Sequence, residues 1–102
     1  MRSISESEKL IMNVVWEANK DLATQELITI LKEQYGKDYA RTTVVTFVDR
    51  LKQKGYVTTQ RIGKQSYIHA IISKEEYLPF MVKQIVDFWF DGKTENMIKQ
   101  CK

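Results

Sequence analysis

Two short runs rich in β-branched and aromatic residues constrain the fold of this chain most strongly. The first run covers residues 56–61 and the second covers 66–70, with Ile62-Gly63-Lys64-Gln65 between them. Runs of this composition around a short loop that contains glycine are typical of a β-hairpin. Because the rest of the chain shows helical periodicity, the hairpin predicts a mainly α fold that carries one small β element.

Two helix signals precede the hairpin within the first 36 residues. Ser5 and Glu8 have the spacing of a capping box, in which each side chain accepts a hydrogen bond from the backbone N–H of the other residue. Apolar residues recur behind this box at helical spacing, which predicts a first helix over 6–18. A second pattern starts near Thr24 and ends at Tyr35-Gly36, where glycine suits the left-handed residue that follows a helix.

A third helical pattern covers 41–54 and ends before Gly55. Its apolar residues recur at i, i+3, i+4 and i+7, so one side of this helix is expected in the core. Several β-branched residues, which are poor helix formers, lie on or beside the opposite side and require a reason other than helix stability. This opposite side consists of Thr42, Thr46, Asp49, Arg50 and Gln53, flanked by Thr43 and Val45.

Three helices followed by a hairpin is the element order of a winged helix-turn-helix. After the hairpin, Ser73 and the residues behind it predict another helix start. Pro79 removes one backbone hydrogen bond, so we expect a short turn at 74–77 and a helix from about 79 to 91. Gly92 is expected to stop that helix, and Thr94 to cap a last one over 95–101. We therefore expect a winged-helix domain over 1–72 and a C-terminal helical arm over 73–102.

The charge of the chain is concentrated in one segment. The formal net charge is only +3, but residues 37–67 hold seven basic and two acidic residues, a net charge of +5. Residues 1–36 are net acidic, and residues 74–102 are balanced. A basic segment of this kind is typical of a polyanion-binding surface, although a merely solvated basic face accounts for the charge alone equally well.

Double-stranded DNA is the partner that these features together predict. A major groove admits one helix whose short side chains can reach base edges, and basic residues at a hairpin tip can contact the phosphate backbone. The start of the second helix could also place backbone amides against a phosphate. The candidate DNA contacts are Thr24, Arg41, Thr42, Thr43, Val45, Thr46, Arg50, Arg61 and Lys64.

The sequence lacks the parts of an enzyme. The single histidine, His69, has no carboxylate or cysteine near it in sequence, and no phosphate-binding glycine loop or metal-ligand pair occurs. We expect no catalytic activity, no cofactor and no metal. No apolar run is long enough to span a membrane, and Cys101 is the single cysteine, so we expect a cytoplasmic protein.

The predicted arm carries more apolar surface than a small three-helix body can cover. A second copy of the chain is the natural partner for such a surface, and a dimer would also place two reading helices about one DNA turn apart. The expected interface consists of Tyr77, Met81, Ile85, Phe88, Trp89, Met97 and Ile98. A winged-helix module that binds protein instead of DNA remains the alternative.

Several motifs resemble those of the penicillinase-repressor, methicillin-resistance-regulator and copper-transport-repressor family. Ser5…Glu8 with Val15-Trp16 is similar to the opening motif of that family, with Lys9 at a position where tryptophan is usual. The third-helix residues and the exit Gly55-Tyr56-Val57 resemble its recognition helix, and Arg61-x-Gly63-Lys64 resembles its wing.

The resemblance implies a homodimeric repressor that binds a palindrome of the TACA/TGTA type. It implies that Thr43 and Thr46 read bases and that Arg50, Arg61 and Lys64 contact the backbone. It also implies a sensor protease as a further partner, although Gln100-Cys101 stands where the antibiotic branch has its cleaved Asn-Phe pair. The Cys-x-Cys tail of the copper branch is absent from this sequence.

Overall fold

The first helix, α1, forms behind the capping box that the sequence predicts. The structure is a computed structural model and describes residues 1–89. α1 spans Glu6–Ala18, the Glu8 amide donates to Ser5 Oγ over 3.2 Å, and the Ser5 amide donates to the Glu8 carboxylate over 3.1 Å. Asn19 ends the helix in the left-handed conformation, which asparagine tolerates better than most residues. The predicted bounds of 6–18 are confirmed.

Two further helices follow at the predicted places. α2 spans Thr24–Tyr35 and ends at Gly36, whose φ of +64° is the left-handed conformation expected of a glycine there. α3 spans Arg41–Gln53, one residue shorter than predicted, because Lys54 is the C-cap and Gly55 has a φ of +82°. The short connection between these helices gives the helix-turn-helix that the sequence indicates.

The β element is a three-stranded antiparallel sheet, where the sequence predicts only a hairpin. β1 is Leu22–Ala23, β2 is Val57–Ile62 and β3 is Gln65–Ala70, in the spatial order β1-β3-β2. The first strand pairs Leu22 with Ile68. A strand of two residues has too few positions to show alternation, and its partner lies far away in sequence, so no local pattern indicates it.

The hairpin turn is tighter than the predicted four-residue loop. Ile62 pairs with Gln65, so only Gly63 and Lys64 form the tip. Gly63 has a φ of +63°, which two-residue hairpin turns require and which glycine adopts without steric cost. Tyr56, which we expected at the start of the first run, precedes β2.

The core of residues 1–72 joins all three helices to the sheet. The Tyr56 ring is fully buried and its hydroxyl donates to the Arg2 carbonyl, while the Trp16 indole N–H donates to the Ile72 carbonyl over 2.9 Å. These two bonds hold the first and last residues of the segment against side chains from its interior positions. Fully buried aliphatic side chains come from every layer: Ile11, Met12, Leu22, Leu27, Leu31, Val44, Leu51, Val57 and Ile68.

An ion pair between a buried carboxylate and a partly exposed lysine connects the start of α1 to the end of α3. Lys54 Nζ lies 3.0 Å from both carboxylate oxygens of Glu8, whose side chain is 2% exposed. Burial raises the pKa of the Glu8 carboxyl, but the hydrogen bonds from Lys54 and Ser5 and the charge of Lys54 outweigh burial and hold that pKa below its ordinary value.

This lowered pKa predicts a loss of stability in acid. The stabilising contribution of the Glu8 carboxylate is complete above its unfolded pKa of about 4.5 and is lost as the pH falls through the lower folded pKa. In Glu8→Gln, the free energy of unfolding should therefore fall less steeply than in the wild type as the pH is lowered below about 4.5. Urea unfolding across an acid pH series measures the slope. The exposed Glu17→Gln serves as the control, and if it flattened the slope equally, Glu8 would not be the cause.

The last described helix, α4, spans Lys74–Trp89 without interruption, so the predicted restart at Pro79 is wrong. A second capping box fixes its start, because the Glu76 amide donates to Ser73 Oγ over 3.1 Å and the Ser73 amide donates to the Glu76 carboxylate over 3.2 Å. Pro79 lies just beyond this first turn. The one backbone hydrogen bond that it removes therefore lies near the N-terminal end of the helix, where backbone distortion is easiest.

The exposed apolar side of α4 differs in part from the one predicted. Tyr77 is only 3% exposed and its ring lies tilted beside that of Phe80, with the ring centroids 6.2 Å apart, so it is not available to a partner. Apolar residues occur around most of this helix, so periodicity does not identify the outward face. Phe90, Gly92, Thr94, Met97, Ile98 and the expected helix over 95–101 lie outside the described residues. The large exposed apolar side chains of the helix are Leu78, Val82, Ile85 and Phe88.

The described residues fall into two compact units, one over 1–72 and a second that begins at Ser73. The first holds the three helices and the sheet, and the second holds α4. This architecture is mainly helical with a small β wing, and the predicted winged helix is confirmed.

Candidate nucleic-acid interface

The outward side of α3 is a polar surface of short side chains. Val44, Val48 and Leu51 are buried and hold the helix against the core. The opposite side is exposed as predicted, and Thr43, at its flank, is half-buried. A helix fixed in this way can present its outer surface to a groove without rearrangement. The exposed residues are Arg41, Thr42, Val45, Thr46, Asp49, Arg50 and Gln53.

The N-terminus of α3 differs electrostatically from those of the other helices. At the start of each of the other helices, a glutamate carboxylate accepts a hydrogen bond from a backbone N–H. These glutamates are Glu8 in α1, Glu26 in α2 and Glu76 in α4. The N-cap of α3 is Ala40, which provides no side-chain hydrogen bond, and its first turn has no acidic residue. The positive end of this helix dipole therefore has no side-chain carboxylate from its own first turn beside it.

Arg41 is held by a residue that the sequence analysis missed. Its guanidinium Nη1 donates to the Gln25 side-chain oxygen over 3.2 Å, and this bond joins the first residues of α3 to the start of α2. A guanidinium has five N–H donors, so most remain for another acceptor such as a phosphate. Sixteen residues separate the two side chains, and no local pattern indicates the contact.

The wing places two cations at its tip. Arg61 Nε donates to the Gly63 carbonyl over 3.4 Å, which turns its side chain toward the end of the hairpin. Lys64 is exposed in the two-residue turn, and Ile62 beside it is also exposed. Arg61 and Lys64 thus lie together on one element, and the other candidate contacts except Thr24 lie together on α3.

Thr24 does not belong to this surface. It is 7% exposed, and its hydroxyl donates to the Ser66 carbonyl over 3.3 Å, which ties α2 to β3. The helix start it occupies is already capped, because the Ala23 amide donates to the Glu26 carboxylate over 3.2 Å and holds the pKa of that carboxyl below its ordinary value. A carboxylate at this position repels a phosphate, and the expected phosphate site is therefore not supported by the structure.

His69 has a partner that sequence proximity does not reveal. Its ring Nδ1 lies 2.7 Å from the Asp21 carboxylate, and both side chains are exposed. The pair joins β3 to the segment before β1. Among residues 1–89, no group of three side chains could hold a metal ion, and no helix is both long and apolar enough to cross a membrane.

Comparison with known proteins agrees with this arrangement. The sequence profile of the penicillinase repressor family matches residues 4–101, nearly the whole chain. No curated protein sequence matches significantly. A structure concerning the DNA recognition and protein interaction domains of HOP2 is 23% identical with a TM-score of 0.55, and the match covers 63% of this chain and 97% of that one.

The complex structure of hsRosR-S4 is 15% identical with a TM-score of 0.67, and that match covers 97% of this chain and 90% of the other. At these identities, both structures support the fold and nothing more specific. The family profile is the stronger result, because it spans both units, and members of that family are transcriptional regulators. This chain belongs to the penicillinase repressor family.

Proposed function

We propose that the chain is a sequence-specific transcriptional repressor that binds a palindromic operator of the TACA/TGTA type as a homodimer. The observation that carries this proposal is the outer side of α3, where exposed β-branched side chains lie between Arg41 and Arg50. Such residues weaken a helix and gain nothing from burial there, whereas methyl and hydroxyl groups of this size suit base edges.

In this proposal α3 enters the major groove and the wing lies on the backbone. Thr42, Thr43, Val45 and Thr46 face the bases, and Arg41 and Arg50 face the flanking phosphates. At the wing tip, Arg61 and Lys64 neutralise further phosphates, and the glycine in the turn allows close approach. Residues 1–72 would then be the DNA-binding domain. Repression follows from occupying a promoter, which requires no catalysis.

The arm over 73–102 would supply the dimer contact through the exposed side of α4. The sensor protease and the cytoplasmic location remain predictions.

The alternative is a winged-helix module that binds a protein through α3, and the exposed Val45 is the feature that favours it. The basic charge of residues 37–67 is better matched by a polyanion.

A salt titration separates these two functions. Binding to a duplex with a TACA/TGTA inverted repeat should fall steeply with salt, with a log–log slope of about −0.9 for each neutralised phosphate. Fluorescence anisotropy with a labelled duplex measures this slope. If the chain does not bind the duplex, or binds it without salt dependence, the repressor function is wrong.

Base reading and backbone contact should separate in two single variants. Lys64→Ala should weaken binding to all duplexes alike and reduce the magnitude of the salt slope by about 0.9 for each occupied half-site, since one phosphate contact is lost in each half-site. Thr46→Ala should instead lower the ratio of the affinity for the operator to the affinity for a random duplex, and it should leave the salt slope unchanged. If both variants lost specific and random binding in the same proportion, this division between the helix and the wing would be incorrect.

A further inference from the structure

Thr46 makes an internal hydrogen bond that limits what its side chain can read. Its hydroxyl Oγ1 donates to the Thr42 carbonyl over 2.9 Å, one helical turn earlier. A hydroxyl has a single proton and two acceptor lone pairs. Because the proton is used inside the helix, the exposed hydroxyl offers an outside molecule only acceptor capacity.

The same bond fixes the side-chain rotamer. Threonine in a helix divides between two χ1 rotamers according to whether its hydroxyl bonds the carbonyl of the preceding turn. With that bond formed, the hydroxyl oxygen and the methyl group hold fixed positions side by side on Cβ. Thr46 therefore presents a preset pair of features, one hydrogen-bond acceptor and one apolar contact.

Among the base pairs, A·T matches this pair of features best. In the major groove, adenine offers the N6 amino group as a donor, and thymine offers its C5 methyl group on the same base pair. A G·C pair also has a donor, the N4 amino group of cytosine, and as many major-groove acceptors as an A·T pair, but it has no methyl group for the threonine methyl group to contact.

We infer that Thr46 specifies an A·T pair, accepting a hydrogen bond from adenine N6 and contacting the thymine methyl group. The inference rests on the proposed function, because it requires α3 to lie in the major groove. A donor role toward adenine N7 or thymine O4 would require the hydroxyl to leave the Thr42 carbonyl. The acceptor role requires no rearrangement, so the side chain is preorganised for it.

The test combines two protein variants with two base analogues. The duplex is first selected from a random pool with the wild-type chain, and each A·T pair of one half-site is then replaced in turn. Purine in place of adenine removes the N6 amino group, and uracil in place of thymine removes the methyl group. Thr46→Val removes the hydroxyl but keeps the shape, whereas Thr46→Ser keeps the hydroxyl but removes the methyl group.

At one base pair, each analogue should weaken wild-type binding about three- to tenfold, the effect of one neutral hydrogen bond or one methyl contact. Thr46→Val should be insensitive to purine there, and Thr46→Ser should be insensitive to uracil. Thr58→Val, a change of an exposed threonine on the wing, should retain both sensitivities.

Three results would overturn the inference. Loss of wild-type binding on 7-deazaadenine but not on purine, together with no such loss in Thr46→Val, would show that Thr46 donates to N7. Equal sensitivity of Thr46→Val and the wild type to purine at every position would show that the hydroxyl does not meet adenine N6. Failure to recover any preferred duplex would overturn the proposed function itself and the inference with it.

Discussion

Lys54→Met should lower the free energy of unfolding by about 3–5 kcal/mol, because it leaves the buried Glu8 carboxylate without its cation. Glu8 is 2% exposed, and both of its carboxylate oxygens lose their 3.0 Å contacts to the ammonium. A small domain has a total stability of only about 5–15 kcal/mol, so this change removes a large part of it. Urea unfolding at neutral pH and fixed protein concentration measures the loss.

The matched control is Lys52→Met, which removes an exposed lysine from the same helix and should cost less than about 1 kcal/mol. The double variant Glu8→Gln with Lys54→Met should recover part of the loss, since it removes the unpaired charge as well. Equal losses in Lys54→Met and Lys52→Met would mean that the ion pair does not stabilise the fold.

The ion pair shows which features sequence analysis reaches and which it does not. The start of α1 follows from the Ser5–Glu8 box, whose residues are three apart, and the end of α2 follows from the adjacent pair Tyr35-Gly36. The partner of Glu8 is 46 residues away, and nothing near either residue indicates the other. Local hydrogen-bonding rules fix where helices begin and end, whereas pairs across the fold depend on how those helices pack.

The candidate interface divides in the same way. The outer side of α3 follows from its 3.6-residue period and is exposed as predicted. Thr24 fits an anion site by sequence position, but it is buried and its hydroxyl donates to the Ser66 carbonyl of β3, a contact 42 residues away in sequence. The Gln25–Arg41 bond likewise requires the turn between α2 and α3 to bring two helix starts together.

α4 shows a different limit. Its apolar residues cover most of the circumference, so the period indicates a helix but not which side faces outward. Burial separates these residues in the structure: Tyr77 is 3% exposed, whereas Ile85 is 39% exposed and Phe88 is 76% exposed. An exposed apolar row of this kind is costly for a chain that stays alone in water, which favours a second copy as its partner.

Ile85→Asp should therefore convert the proposed dimer to monomers. A carboxylate at this position would have to be desolvated in a symmetric contact, where the same residue comes from both copies. Operator affinity should fall at least about 100-fold, because each half-site would then bind one chain without the gain from linking two binding events. Sedimentation velocity gives the mass, and anisotropy with a full palindrome gives the affinity.

Gln84→Asp places the same carboxylate on an adjacent exposed position of α4 and should leave both the mass and the affinity close to those of the wild type. The affinity for a single half-site should be alike in the two variants, because residues 1–72 are unchanged. This comparison separates the loss of dimerisation from damage to the DNA-binding domain. A dimeric Ile85→Asp variant would exclude this side of α4 from the interface, because an interfacial aspartate pair without a counter-charge costs more than the contact returns.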